Sequence, residues 1–344
     1  MPGPCRLLLG ENASVPEWLH GRTRGIGGSE VAALLGVSPY ATSWDVFKSK
    51  VSGDGTPVFV GEEPVPGPKI RAELLTDNPI FEWGHRLEDA VALKTADELD
   101  LVARSGGGLW QHVDHPLAIV TPDRVGTKRR SWKPECLIEC KTSGDAEPWD
   151  VGEAPIQYQV QAQWQMGITG ITPCYLGCFV LGFEREFYIV RVDFDEQWFN
   201  EMVEIAEDFW AKHVLTNEIP EHDYTHPRTA EILKELHPTV IQEAVQLPDE
   251  ALEWVETYLK AKVTVKRAEE YLAEAKNWLA FHVGDAGAGY LGDDKVVSWP
   301  EVHQRRISAT VLRERFPQIA DECTVTSTHR RMTVRRPKPA APSN

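Results

Sequence analysis

Between residues 108 and 193 the chain runs through short apolar segments, GLWQHV, LAIVTPD, ECLIECKT, PCYLGCFVLG and REFYIVRV, interrupted by one helical run, PIQYQVQAQWQMGITG. Segments of this length, bounded by Gly, Pro and Asp, read as strands. A helical stretch, NPIFEWGHRLEDAVALKTADEL, precedes them, and DEQWFNEMVEIAEDFWAKHV follows. The order is helix, strands, helix, strands, helix. It predicts an α/β core built on a mixed sheet.

One of these strands is chemically mixed. In LIECKTS, residues 137–143, side chains alternate across the strand, so Leu137, Glu139 and Lys141 share one face while Ile138 and Cys140 share the other. Just upstream, IVTPDR puts Asp123 at the end of another apolar strand. Two carboxylates on adjacent strand ends can hold a hard divalent cation such as Mg²⁺ through oxygen, and the backbone carbonyl of Cys140 can add a ligand. A lysine beside them can orient water, help deprotonate it, or offset charge on a pentacoordinate phosphorus. Together these groups suit phosphodiester hydrolysis. The plain alternative is an exposed Glu–Lys pair on a surface strand.

Three other segments bear on that choice. In WGHRLED, Glu88 sits on a helix close to the apolar stripe of Phe81, Leu87, Val91 and Leu99. In YQVQAQWQM, Gln161 and Gln163 lie on the helix after the mixed strand, and Gln161 has the spacing to reach back over the sheet. In RTRGIGGSE, Arg22 and Ser29 flank a Gly-rich turn that opens a helix, where free N–H groups and the helix dipole favour an anion. Taken singly, these read equally as a solvated Gln face and an N-cap.

The ordered set R-x-x-x-I-G-G-S-E, W-G-x-x-x-E, P-D, E-x-K and Y-x-x-Q-x-Q, over residues 16–215, resembles the YqaJ-like viral recombinases. These are the phage lambda-type alkaline exonucleases of the PD-(D/E)XK nuclease superfamily. The resemblance implies a restriction-endonuclease-like core over 1–220. Beyond it the residues themselves read as a helical region at 221–282, an amphipathic helix or a short helical hairpin, then a small α+β segment at 283–334 with strands at each end around a short helix, and a Pro-rich, disordered tail at 335–344. The resemblance implies Asp123, Glu139 and Glu88 as metal ligands and Lys141 as the catalytic lysine. Gln161 would place water or phosphate, and Arg22 with Ser29 would bind a 5′-terminal phosphate. The activity implied is a Mg²⁺-dependent exonuclease, with Mn²⁺ as substitute. It would digest one strand of double-stranded DNA ends 5′ to 3′ and leave a 3′ single strand. The implied partners are a single-strand annealing protein and further copies of the chain in a ring, in a phage or prophage setting.

The sequence departs from that pattern at Arg124, where such proteins often have Gly. The stretch RVGTKRRSWKP then reads as a long basic hairpin, free to touch a DNA backbone or stay solvated. Asp114 lies close enough in sequence to be an extra acidic neighbour, but VDHP equally reads as a turn.

Composition sets limits. The net charge of −16 argues against a non-specific nucleic-acid binder, although Lys128, Arg129 and Arg130, and Arg330, Arg331, Arg335 and Arg336, form local basic clusters. No apolar run approaches the roughly 20 residues needed to span a bilayer. The N-terminal residues lack the character of a secretory signal, so a cytoplasmic protein without membrane attachment is expected. Of the cysteines, Cys136 and Cys140, and Cys174 and Cys178, stand four apart. They read as core residues on strand faces, or as a four-thiolate or iron–sulfur site. Two alternatives therefore stand beside the exonuclease: an iron–sulfur nuclease of the same superfamily, and a non-catalytic DNA-end-binding protein.

Overall fold

Strand pairing fixes the arrangement of the first half of the chain. The structure, a computed structural model, describes residues 3–51, 59–60, 63–64, 79–149, 152–181, 186–237, 244–325 and 332–337. It divides into two compact units, Met1–Val240 and Ile241–Asn344. Most of the Gly- and Pro-rich stretch at 51–69 lies outside the described residues. So do Arg330, Arg331, the tail beyond 337 and the side chain of Phe81.

The first unit begins with β1 (Cys5–Gly10), α1 (Val15–Arg22), α2 (Gly28–Leu34) and α3 (Ser43–Lys50). After a two-residue pair, β2 (Phe59–Val60) with β3 (Glu63–Pro64), come α4 (Pro79–Glu98), β4 (Val102–Ser105), β5 (Gly108–His112) and β6 (Ile119–Val120). Next are β7 (Arg124–Thr127), β8 (Pro134–Ser143), α5 (Ile156–Thr169), β9 (Cys174–Val180) and β10 (Phe187–Val192). Helices α6 (Glu196–Phe209) and α7 (Thr229–Leu236) close the unit.

The main sheet has the order β10-β9-β8-β7-β4. Strands β8 and β9 are parallel and the other pairs antiparallel, so the sheet is mixed. A parallel pair needs a crossover, and α5 supplies it. Helices cover both faces. Leu137, Cys174, Leu176 and Cys178 pack with Ala162 and Met166 of α5. On the opposite face Ile138 and Cys136 pack with Ala96 of α4. Gly177 lets α4 approach the sheet: a Cβ there would lie 2.1 Å from Thr95 Oγ1. The α/β core with a central mixed sheet flanked by helices is thus present. A second, antiparallel sheet, β1-β5-β6, packs beside it.

The sequence expectation closed the core at 220, but α7 belongs to the same compact unit. Its Ile232 is fully buried, and the preceding Arg228 pairs with Asp45 at 2.8 Å. The second unit contains α8 (Ala251–Val283), one continuous helix rather than a hairpin. A hairpin of β11 (Ala288–Leu291) and β12 (Asp294–Ser298) follows, then α9 (Ala309–Arg315) and α10 (Pro317–Glu322). Strands were expected at both ends of this segment. Among the described residues they occur only at its start.

Candidate active site

Strand β8 carries its charges into the core. Glu139 is 1% exposed, on the same face as the fully buried Leu137. A carboxylate this deep is tolerated only if its oxygens are satisfied. Its Oε1 accepts from Lys141 Nζ at 2.5 Å and from Gln161 Nε2 at 2.5 Å. Its Oε2 accepts from Gln165 Nε2 at 2.7 Å. The two glutamines stand one turn apart on the face of α5 that covers the sheet. The Lys141 ammonium also lies 5.0 Å from the centre of the Tyr158 ring, a cation–π contact.

Asp123 lies immediately before β7, which pairs with β8 so that Arg124 stands opposite Ile138. This register brings Asp123 Oδ2 to the backbone N–H of Cys140, which donates at 2.9 Å. Burial, then repulsion from Glu139 and Glu88, holds the Asp123 carboxyl well above the usual carboxylate range, although Lys141 acts against this. For Lys141, burial disfavours the charged form, but Glu139 and Asp123 outweigh it and raise its pKa. The Lys141 side chain therefore stays an ammonium.

The expected metal ligands are only partly assembled. Asp123 and Glu139 form a pair. Glu88 faces Arg124, whose Nη1 donates to Glu88 Oε1 at 2.6 Å and to the Asp123 carbonyl at 2.6 Å. Its Nη2 donates to Asp89. Among the described residues no three His, Cys, Asp or Glu side chains gather to hold a metal ion. A divalent cation fits the donor pair nonetheless. Both groups offer hard oxygens, and a cation would relieve the repulsion that raises the Asp123 pKa. Cys140 touches Asp123 through its N–H.

A second expected group is brought to the same place. Arg22, Gly27, Gly28, Ser29, Thr121, Gln161 and Gln165 line a cavity of about 50 Å³. Glycine at 28 lets α2 approach α5 closely: a Cβ there would lie 2.9 Å from Gln161 Cγ. The buried Gln165 Oε1 has no hydrogen-bond partner. Arg22 lies 3.5 Å from Glu30, which also pairs with the buried Lys50 at 2.8 Å. Gln161 thus borders the cavity while holding Glu139.

Other candidates fall elsewhere. Gln163 donates to the Asp193 carbonyl at 2.7 Å and accepts from Asp195 N–H at 2.9 Å, tying the start of α6 to α5. Asp114 follows β5 in a turn, with its N–H donating to His112 Nδ1 at 3.2 Å. The basic stretch after Asp123 does form a hairpin, β7–β8. Cys136 and Cys140 lie on one face of the sheet, Cys174 and Cys178 on the other. The four thiols therefore cannot converge on one cluster, and burial pushes Cys136 up to about 11 and Cys178 up to about 12. The motif reading omitted Gln165, although it follows Gln161 by four residues on the same helical face. Tyr158 and Glu30 stand inside the quoted motifs but were given no role there. Lys50, which pairs with Glu30, carries no local signal.

Residues 17–172 match a family described as the YqaJ-like viral recombinase domain. The chain is 23% identical over 336 residues to "Uncharacterized protein YqaJ" of Bacillus subtilis (strain 168), covering 95% of this chain and 97% of that one. It is similar to the solved structure of an alkaline exonuclease, LHK-Exo, from Laribacter hongkongensis, with 20% identity and a TM-score of 0.43. That match covers 63% of this chain and 100% of the other. A phage related exonuclease from Haemophilus somnus 129PT is similar with 13% identity and a TM-score of 0.35, covering 56% of this chain and 96% of that one.

Proposed function

We propose, for a chain whose residues 17–172 match the YqaJ-like viral recombinase domain, that it is a nuclease acting on DNA, and specifically a Mg²⁺-dependent exonuclease of double-stranded ends. The observation that carries this reading is the buried Glu139, held between Lys141, Gln161 and Gln165 and next to Asp123. A surface ion pair needs no such support.

Asp123 and Glu139 would hold the cation, Mg²⁺ or Mn²⁺, which supplies charge to offset that developing on the phosphate. Glu88 supports the site through Arg124. Lys141 positions and activates the attacking water and stabilises negative charge at the scissile phosphate. Gln161 places water or phosphate from the cavity side. Arg22 and Ser29 receive the 5′-terminal phosphate, which sets digestion 5′ to 3′ and leaves a 3′ single strand. A single-strand annealing protein is the partner such a product calls for, and copies of the chain would form a ring around the duplex. The setting would be a phage or prophage protein in the bacterial cytoplasm. Among the described residues no helix is long and apolar enough to cross a membrane.

The test is digestion of linear duplex DNA with a 5′-phosphate at one end only, with Mg²⁺ and then with EDTA. Metal-dependent mononucleotide release from the phosphorylated strand is the expected result. Internal cuts would replace the exonuclease with an endonuclease. Binding without hydrolysis in Mg²⁺ or Mn²⁺ would favour the non-catalytic end-binding protein.

A further inference from the structure

Helix α8 is 33 residues long and buries none of them. Its sequence nevertheless carries a seam with spacing four, three, four, three. Tyr258, Val265, Leu272 and Leu279 recur every seven residues, and Ala261, Ala268 and Ala275 recur every seven between them. The four large members are 38%, 57%, 55% and 40% exposed. A strict seven-residue repeat of this kind marks a helix meant to pack along another helix. Among the described residues the other helices of this unit are seven and six residues long, too short to cover it.

We propose that this seam pairs with α8 of a second copy of the chain, antiparallel. Volume decides the direction. In a parallel pair each alanine would meet its own counterpart, leaving an underfilled layer at every second step. In an antiparallel pair large meets small. Tyr258 faces Ala275 of the second copy, Val265 faces Ala268, and Leu272 faces Ala261. At each end Leu279 closes over Trp254 of the other helix.

The flanking charges agree. Lys262, Glu269 and Lys276 line one edge of the seam with alternating sign. The antiparallel register brings Lys262 of one copy within reach of Glu269 of the other, twice by symmetry. The area suffices as well. A buried Trp or Tyr contributes roughly 150–250 Å². Trp254 is still 64% exposed and Tyr258 38%, and two of each, with Val265, Leu272 and Leu279, supply area on the order of the 1,000 Å² expected of a specific interface.

This pairing does not depend on the nuclease reading, and full-length protein tests it. With Val265→Cys and Ala268→Cys together, mild oxidation should give a covalent dimer whose cross-link joins 265 to 268, read by peptide mass spectrometry against the wild-type thiol background. With Val265→Glu and Leu272→Glu, the sedimenting mass should fall twofold while helicity by circular dichroism is unchanged. Cross-links joining 265 to 265 would overturn the antiparallel arrangement. No cross-linked dimer, with an unchanged sedimenting mass in the Glu variant, would overturn the interface.

Discussion

Gln165 donates to Glu139 Oε2 at 2.7 Å, from one helical turn beyond the Gln161 bond to Oε1. The two amides grip both oxygens of one buried carboxylate. A hydrogen bond to a charged group contributes about 1.5–3 kcal/mol. Gln165→Leu should therefore destabilise the fold by about that amount, measured by urea unfolding. It should also slow cleavage, because Glu139 loses the amide that fixes its Oε2. Unchanged stability would mean that water replaces the amide.

Lys141→Ala should abolish most cleavage, by on the order of 10²–10³-fold in kcat. Circular dichroism should stay that of the wild type, since Gln161 and Gln165 still hold Glu139. Binding of DNA without metal should also survive. Full activity in this variant would remove Lys141 from the mechanism.

The raised pKa of Asp123 gives a pH dependence with a defined sign. The folded state binds the proton more tightly than the unfolded chain. Without metal, stability contributed by this group is therefore full below the unfolded pKa and is lost as pH rises through the folded one. Asp123→Asn should raise the Tm of the metal-free protein at alkaline pH and end cleavage. Mn²⁺ should raise the Tm of the wild type and not of the variant. Equal Mn²⁺ stabilisation of both would place the cation elsewhere.

Gly28→Ala puts a Cβ 2.9 Å from Gln161 Cγ. Helix α2 or Gln161 must then move. Cleavage should fall at least tenfold while Tm changes little, since the cavity can accept the shift. A parallel loss of both would mark a purely structural position.

Arg124→Gly would remove the guanidinium that pairs with Glu88 at 2.6 Å. With that positive charge gone the surroundings of Asp123 are more negative, so affinity for Mn²⁺ should rise several-fold by calorimetry. Weaker binding would instead make Arg124 a support for the Asp123 backbone.

The strands with strong apolar runs, β8, β9 and β10, and the helix α5 between β8 and β9, were legible in the sequence because each has a clear period and boundary. Strand β4 was not, being four residues with mixed side chains, and β7 showed only as the start of a basic hairpin. Strand β1 was also missed. Its pairing with β5 joins residues about a hundred positions apart, for which no local pattern exists. At the site, P-D and E-C-K identified the charged residues, but not their bonding. Arg124 shows the difference. As a departure from a motif it is a single letter, and only the fold reveals that it joins Glu88 to the Asp123 backbone. Gln163 shows the converse, sharing a motif with Gln161 while belonging to the start of α6.

Glu139 sits one residue from Ile138 and two from Leu137, both fully buried, so the reacting end of β8 and the centre of the core are continuous. On the nuclease reading this has a consequence for the host cell. Catalytic competence arrives only when the sheet and α5 have closed, and it disappears in the same cooperative event that opens them. Heat or proteolysis should then yield inert chains rather than loosened ones that cut chromosomal DNA indiscriminately, a safeguard that needs no separate inhibitor.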